Sequence, residues 1–160
     1  MVKGNFLFFW DGPFSQWYPS KFTIDGREYN CCEQYMMAKK ALTFKDMEAY
    51  EEIMASSSPK EQKAIGRRVK NFNTEVWSVI SREVVYQANY AKFTQNPQMK
   101  EELMSTGDLE IVEASPQDKI WGIGLHETDP RALDKTQWQG TNWLGIEIMR
   151  VREELKEEIK

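Results

Sequence analysis

The amino-acid sequence predicts an α+β fold, consisting of a single, mostly helical domain with a small antiparallel β-sheet. The chain has 160 residues, a usual length for one domain. Long segments without glycine or proline repeat apolar residues at the three- and four-residue spacing of helices. Short aromatic and β-branched runs, each ended by a turn signal, lie near the start. We therefore expect residues 1–160 to form one domain.

The predicted strands lie mainly in the first part of the chain. The aromatic run Phe6–Trp10 is followed by Asp-Gly-Pro, a strong turn signal, and predicts a buried strand. Phe22–Ile24 and Arg27–Tyr29 are separated by Asp-Gly, the dipeptide typical of two-residue hairpins. A further strand is predicted at Leu109–Val112. We expect the N-terminal strands and this later strand to form the antiparallel sheet.

Helices are predicted over most of the remaining chain. The segments with helical composition or spacing are residues 31–44, 45–55, 59–69, 74–94, 98–104 and the chain from 143 onward. The side chains predicted to cap helices are those of Asn30, Ser58, Asn73 and Asn142. One apolar stripe of the last helix is expected to face the core, formed by Leu144, Ile148, Val151, Leu155 and Ile159.

Charge and composition narrow the classes of function. The net charge is −4 and no basic stripe is present, so we expect no extended nucleic-acid surface. No apolar run approaches the ~20 residues of a membrane-spanning helix. Cys31 and Cys32 are adjacent and no third cysteine exists, which favours reduced thiols and a cytoplasmic protein. With His126 as the single histidine, we expect neither a metal site nor a cofactor. The pattern predicts no particular oligomeric state.

An acid and an amine share one face of the first predicted helix. Glu33 and Lys40 are seven residues apart, which at about 100° per residue places them on nearly the same face, roughly 10 Å apart along the axis. Met37 lies between them. Burying such groups is costly unless they are paired or used in chemistry. The alternative is a surface helix whose charges are solvated, and the sequence leaves both interpretations open.

The segment 115–139 has little periodicity and is rich in Asp, Gly, Pro and Trp. Long irregular segments inside compact domains are usually functional, so we expect site residues here. Ser-Pro at 115–116 predicts a single helical turn with Asp118 and Trp121 on one side. The carboxylate would accept hydrogen bonds from ribose hydroxyls, and the indole would pack on a ring. Alternatively, Asp118 only complements a helix dipole.

Candidate phosphate ligands are Arg67, in the sequence Gly-Arg-Arg, and Lys92. Arginine binds phosphate through two hydrogen bonds, and glycine lets the backbone approach closely. Three tryptophans are candidates for stacking on a base, although single tryptophans more often belong to the core. They are Trp77, Trp138 and Trp143.

The motifs that the chain lacks also restrict its chemistry. There is no Walker loop, no GxGxxG, no histidine-based dyad and no nucleophile elbow. An enzyme that uses neither a metal nor histidine chemistry depends on carboxylates, a lysine and binding energy. Cleavage of an N-glycoside suits these groups, because a carboxylate can stabilise its oxocarbenium-like transition state or activate water.

Seven elements in order along the chain resemble motifs of the NADAR superfamily, also called the YbiA-like family. The family's FSNFYP-type turn is represented by FSQWYP at 14–19, and its SEHYYQAQKA-type helix by CEQYMMAKKA at 32–41. The further elements are GRRV at 66–69, Trp77, AKFTQNP at 91–97, the segment 106–125 that ends in WGIGL, and WQGTNWLGIEIMRVR at 138–152. The resemblance implies a YbiA-like fold.

The resemblance also implies an N-glycosidase that acts on a small, phosphorylated ribosyl substrate. The family is known to cleave riboflavin-biosynthesis intermediates, such as a ribosylaminopyrimidine phosphate, and in other branches to remove ADP-ribose from modified guanine. The implied catalytic residues are Glu33, Lys40 and Asp118. The implied substrate-binding residues are Trp77, Trp121, Arg67, Lys92, Trp138 and Asn142.

The resemblance assigns roles to three of these positions and leaves one of them open. Glu33 would act as general acid/base, and Asp118 would hold the ribose hydroxyls. Lys40 would either stabilise charge or attack the anomeric carbon of the sugar to form a transient imine. In the turn at 14–19, Gln16 replaces the usual Asn and Trp17 the usual Phe, and both changes bear on recognition of the ligand.

Two other functions fit the same sequence. A binding module that recognises NAD or ADP-ribose without turnover would use the same residues, because a fold does not determine its chemistry. A structural or regulatory helical protein would use the charged face of the last helix to meet a partner. Ligand binding without product would favour the first, and unchanged function after Lys40→Ala and Asp118→Ala would favour the second.

Overall fold

The computed structural model describes residues 1–159 and confirms the α+β fold class, since α-helices predominate and the strands are short. The strands are β1 Val2–Lys3, β2 Phe6–Phe9, β3 Phe22–Ile24, β4 Arg27–Tyr29 and β5 Glu110–Glu113. The helices are α1 Cys32–Thr43, α2 Met47–Ala55, α3 Pro59–Arg67, α4 Thr74–Gln95, α5 Pro97–Ser105 and α6 Trp143–Ile159. Two short 3-10 helices precede α6, at Pro130–Leu133 and Lys135–Gln137.

The described residues divide into two compact units. The segment Met1–Ser15 and the chain from Pro97 onward form the first unit, and Gln16–Asn96 forms the second. That the whole chain is a single domain stays a prediction. Among residues 1–159, no helix combines the length and the apolar character that crossing a bilayer requires.

The first unit contains a three-stranded sheet with the order β1-β2-β5. β1 pairs with β2 in the antiparallel sense, whereas β5 pairs with β2 in parallel, with Phe6 opposite Glu110. β3 and β4 form a separate hairpin in the second unit. The expectation of one antiparallel sheet is therefore wrong in these two respects. A parallel pair needs a long crossover, and the chain between β2 and β5 supplies it, because it contains α1 to α5.

The core of the first unit is formed by the sheet, the loop after β5 and α6. One cluster of buried apolar side chains comprises Phe8, Val112, Ala114, Ile123, Leu125 and Ala132. α6 packs on β5. Four members of its predicted apolar stripe are buried, namely Leu144, Ile148, Val151 and Leu155. The fifth, Ile159, is exposed at the end of the described chain.

The Asn142 side chain joins the start of α6 to β5 by hydrogen bonds. Its Oδ1 atom accepts a hydrogen bond from the Glu113 N–H at 2.9 Å, and its Nδ2 atom donates to the Ile111 carbonyl at 3.0 Å. The residue is 1% exposed and has a φ of 52°. The prediction that its side chain caps α6 is therefore wrong, because the strand backbone takes both of its polar atoms.

We expect Asn142→Ala to lower the free energy of unfolding by about 3 kcal/mol, because two buried backbone groups lose their partners at roughly 1–3 kcal/mol each. Urea unfolding measures the loss. Asn71→Ala is the matched control, because Asn71 has a φ of 61° but is exposed. The control carries the backbone strain, about 1 kcal/mol, without the buried bonds. Equal losses in the two variants would contradict the structural role of the Asn142 side chain.

In the second unit, α1 is the central helix and packs against α2, α3 and α4. The predicted hairpin is confirmed, with Phe22 opposite Tyr29. The side chains of Ser58 and Asn73 each accept a hydrogen bond from a backbone N–H of the following helix, so both predicted caps are confirmed. Within the described residues, no side chain caps the start of α1. Asn30, which was expected there, bonds instead to the Ser56 carbonyl and the Gln62 side chain.

Candidate active site

Glu33 and Lys40 lie on α1, at the seven-residue spacing that predicts a shared face. Glu33 is only 6% exposed, Lys40 is half-buried, and Met37 between them is buried. The interpretation in which both charges are solvated is therefore wrong for Glu33. A carboxylate this deeply buried costs free energy unless it is paired or has a chemical use. This face of α1 is consequently the first candidate for chemistry.

α3 approaches α1 very closely at Gly66. A Cβ atom at this position would overlap Sδ of Met37, so any larger residue would require the Met37 side chain to move. Arg67 follows in the last turn of α3 and is exposed. Its guanidinium lies near enough to Lys40 for its charge to act on that amine. The fold thus brings together three of the predicted site residues from two helices.

The Lys40 amine has a pKa below the usual lysine value. Burial is the largest cause, since it disfavours the charged form, and the positive charge of Arg67 acts in the same direction. The Glu33 carboxylate acts in the opposite direction and raises the pKa of Lys40. The three side chains therefore form one electrostatic group, in which more of the Lys40 amine is neutral at a given pH than in a free lysine.

Phe72 adds an aromatic wall beside this group. The Lys40 Nζ atom lies 4.4 Å from the centroid of the Phe72 ring, which in turn packs edge-on against Phe44 at 5.3 Å. Phe72 is 42% exposed. Sequence reasoning missed this residue, because a single phenylalanine in the loop between α3 and α4 carries no signal that it faces a lysine on α1.

A second buried polar group surrounds Lys92 on α4. Lys92 is completely buried, and burial lowers the pKa of its amine, while the nearby cysteines act to raise it. Burial also raises the pKa of the Cys31 thiol to about 11 and that of Cys32 to about 12. Both thiols therefore stay protonated and are poor nucleophiles. In this conformation Lys92 can act on a phosphate only through its field, and direct phosphate binding stays a prediction.

Trp77 lies near the start of α4 and is 9% exposed. A ring this deeply buried serves the core of the second unit. Its predicted role in packing against a base or sugar is not tested by this geometry. It stays a prediction.

In the first unit, Asp118 and Trp121 are held together by a side-chain turn. The Asp118 Oδ1 atom accepts hydrogen bonds from the N–H groups of Ile120, at 2.9 Å, and Trp121, at 2.8 Å. The predicted helical turn after Ser115 does not form, and the aspartate side chain takes its place. Both residues are half-buried. The Asp118 carboxylate is thus bonded to the backbone of Trp121, but not within the helical turn that the sequence predicts.

The loop that carries Asp118 and Trp121 is tied to the start of α6. The first two N–H groups of the helix, on Trp143 and Leu144, donate to the carbonyls of Ile120 and Trp121, both at 3.1 Å. The indole rings of Trp121 and Trp143 meet edge to face, with centroids 5.7 Å apart. These contacts hold the Trp121 ring against the start of α6, on the same loop as Asp118. The predicted roles of Asp118 and Trp121 in binding a sugar stay predictions.

Trp138 and Asn142 have structural contacts. The Trp138 Nε1 atom donates to the Ala132 carbonyl at 2.8 Å, and its ring packs against Phe6 with centroids 5.8 Å apart. Both polar atoms of the Asn142 side chain bond to β5. The geometry therefore favours a structural role for both residues, and their predicted binding of substrate stays a prediction.

These observations define a small α+β protein that carries a buried carboxylate, an amine with a lowered pKa and a guanidinium in one unit. In the other unit, an aspartate carboxylate bonds to the backbone of a tryptophan. Groups of this kind suit chemistry at a glycosidic bond. The sequence model of the NADAR domain matches residues 8–156. The chain belongs to the NADAR family.

Several curated proteins are similar over most of the chain. N-glycosidase R617 of Acanthamoeba polyphaga mimivirus is 45% identical over 146 residues, which cover 88% of this chain and 86% of that protein. Protein irg-1 of Caenorhabditis elegans is 39% identical over 89% of this chain and 74% of its own length. Riboflavin biosynthesis protein VVA0006 of Vibrio vulnificus is 30% identical over 91% of this chain, but only 36% of its own length is matched.

One solved structure is similar over nearly the whole chain. It is the NMR structure of the Escherichia coli protein YbiA, which superposes with a TM-score of 0.80 at 28% sequence identity. The match covers 98% of this chain and 89% of that one. This similarity supports the YbiA-like fold that the sequence motifs imply.

Proposed function

We propose that this protein is an N-glycosidase that hydrolyses the N-glycosidic bond of a phosphorylated ribosyl compound without a metal ion, in the cytoplasm. The observation that carries the proposal is the position of Glu33, a carboxylate 6% exposed whose charge acts on the Lys40 amine. Cleavage of such a bond needs a carboxylate that transfers protons and stabilises an oxocarbenium-like sugar. A buried carboxylate within electrostatic reach of an amine is suited to both tasks.

In the proposed reaction, Glu33 is the general acid/base. As an acid it gives a proton to the base nitrogen while the bond between that nitrogen and the anomeric carbon breaks. As a base it then takes a proton from the water that adds to the sugar. Burial makes the carboxylate effective in this role, since a site that excludes bulk water strengthens every electrostatic interaction with the transition state.

Lys40 can act by one of two routes. The imine route uses the neutral amine that its lowered pKa favours, and the electrostatic route uses the charge of the protonated amine. On the imine route, the lone pair of neutral Nζ forms a bond to the anomeric carbon as the base leaves with the electron pair of the broken bond. Opening of the sugar ring then gives an imine, which water hydrolyses to regenerate the amine. On the electrostatic route, the protonated amine only stabilises negative charge on the substrate.

The remaining residues bind the substrate in this proposal. Arg67 is exposed and is the phosphate anchor, because its guanidinium can bind phosphate bidentately. Asp118 accepts hydrogen bonds from ribose hydroxyls, and Trp121 packs on a ring of the ligand. Lys92 helps Arg67 to hold the phosphate, and Trp77 packs against the base or the sugar. Trp138 and Asn142 are the further substrate-binding residues of the proposal.

Two substrate classes fit these groups, a ribosylaminopyrimidine phosphate from riboflavin biosynthesis and ADP-ribosyl guanine. The names of two relatives, an N-glycosidase and a riboflavin biosynthesis protein, support the activity and the first substrate class. Only 36% of the second relative's length is matched, so its name describes a protein of which this chain resembles one part.

The test offers the purified protein both substrates in parallel, with and without a chelator, and measures release of free base or ribose phosphate. We expect release from one substrate and no loss of rate in the chelator. Release that the chelator abolishes would contradict the metal-free mechanism. No release from either substrate, together with tight binding of ADP-ribose, would replace the glycosidase by a non-catalytic NAD- or ADP-ribose-binding module.

A further inference from the structure

Three glutamines are buried in the second unit, and one of them differs from the other two. The side-chain amide of Gln34 donates to the carbonyls at the end of α2, and that of Gln62 donates to Asn30 and the Ser56 carbonyl. The Gln16 amide nitrogen is buried as well, but within residues 1–159 it has no hydrogen-bond acceptor. Because buried amide N–H groups are normally satisfied, this exception calls for a physical reason.

The orientation of the Gln16 amide is determined by its neighbours. Asn89 donates from Nδ2 to the Val85 carbonyl at 2.8 Å and also to Oε1 of Gln16 at 2.9 Å. Rotating the Asn89 amide would turn its oxygen toward the Val85 carbonyl, and rotating Gln16 would turn two N–H groups toward each other. Both rotations replace a hydrogen bond by repulsion. The Gln16 oxygen therefore faces Asn89, and the N–H groups of the Gln16 side chain have no acceptor within the described residues.

Gln16 is also joined to the catalytic helix. Its backbone carbonyl accepts the hydrogen bond of the Glu33 N–H at 3.0 Å, so it occupies the start of α1 where a capping side chain is missing. The residue is 9% exposed, and its Nε2 atom is buried, so a ligand reaches this atom only when neighbouring side chains move. The Cys32 thiol bonds to the same Asn89 that holds the Gln16 side chain, at 3.8 Å. The Gln16 side chain is thus a hydrogen-bond donor of fixed orientation, and its backbone is bonded to the start of α1, the helix that carries Glu33.

We propose that Gln16 is a specificity-determining residue of the Glu33 site, whose Nε2 atom donates a hydrogen bond to an acceptor oxygen of the bound ribosyl compound. The proposal rests on the function proposed above and adds to it a recognition contact. Such a donor favours ligands that place a carbonyl or hydroxyl oxygen there, and it disfavours ligands with a donor or an apolar group at the same point. Asn89 already holds the amide in this orientation, so binding a ligand does not require the amide to rotate.

The test is Gln16→Glu, which keeps Oε1 as an acceptor for Asn89 and changes only the nitrogen to an oxygen. With the substrate that the wild type cleaves, we expect kcat/KM to fall at least about tenfold at pH 8, since a hydrogen bond to the ligand becomes a repulsion. The ratio to wild type is expected to recover as the pH falls, because a protonated carboxyl donates where the amide did. Gln16→Met, which has no donor at any pH, is expected to show the loss without the recovery.

Gln62→Glu is the structural control, because that amide nitrogen has two protein acceptors. Both variants place a carboxylate in a buried position, so we expect both to lower the melting temperature at pH 8. The pH-dependent change in kcat/KM is expected in Gln16→Glu alone. Wild-type rates in both Gln16 variants would overturn the proposal and leave the glycosidase function intact.

A binding measurement separates this proposal from the glycosidase function. In protein labelled with 15N, the Gln16 side-chain signal is identified by its absence from Gln16→Glu and followed as ADP-ribose is added. If neither substrate is cleaved, a shift of this signal keeps Gln16 as a ligand contact in a binding module. An unmoved signal in a protein that cleaves nothing would overturn both proposals.

Discussion

Glu33→Gln is expected to lower kcat by between about 10² and 10⁴-fold, the usual contribution of a general acid/base. Glutamine keeps the shape of the side chain but cannot transfer a proton. Because Glu33 is buried on α1, its replacement by an isosteric amide is expected to leave the helix in place. The measurement is the rate of base release under saturating substrate, with circular dichroism to establish that the variant is folded.

Glu147→Gln is the matched control for this variant. Glu147 is the other glutamate whose side chain is buried among residues 1–159, and it lies 3.4 Å from Arg150 on α6. Its replacement removes one charge of a helix ion pair and is expected to change stability, but not kcat. Unchanged binding of ADP-ribose in Glu33→Gln would place the defect in chemistry. A Glu33→Gln variant with wild-type kcat would remove the general acid/base from the proposal.

The elements that sequence reasoning predicted correctly depend on local signals. Ser58 and Asn73 cap their helices because a short polar side chain reaches an N–H group three residues later. The hairpin at Asp25-Gly26 is equally local, since its backbone requires positive φ at both positions. In each case the interacting groups lie within a few residues, so the pattern contains the whole interaction.

The predictions that were wrong involve partners far away in the sequence. Asn30 and Asn142 carry the usual signature of a cap, but each side chain bonds to backbone more than 20 residues away, at 26 and 31 residues. The parallel pairing of β2 and β5 is another long-range choice that no local pattern encodes. Tertiary contacts outweigh local propensity at these positions.

The candidate site shows the same division. The helical spacing of Glu33 and Lys40 predicts their shared face, because both belong to one helix. The position of Arg67 depends on the contact between α3 and α1 at Gly66, which the sequence shows only as a glycine. Phe72 and the unsatisfied amide of Gln16 have no sequence signal at all, since each is defined by what surrounds it.

Lys40→Ala is expected to lower kcat by at least about 100-fold on either route, as loss of a group that stabilises the transition state does. The pH profile separates the routes. If Lys40 attacks the sugar, the neutral amine is required, so kcat/KM rises with pH through the lowered pKa of Lys40. If its charge is required, kcat/KM falls through the same pKa. Borohydride reduction of the reaction mixture is expected to trap a covalent sugar adduct only on the imine route.

Arg67→Gln tests whether the electrostatic group of Glu33, Lys40 and Arg67 sets this profile. The charge of Arg67 lowers the pKa of Lys40, so its removal raises that pKa and moves the limb of the profile to higher pH on both routes. At neutral pH this slows the imine route and favours the electrostatic one. Arg68→Gln is the control, because Arg68 is the next residue, is exposed and does not act on the pKa of Lys40. A limb that moves equally in both variants, or in neither, would mean that the group that titrates is not Lys40.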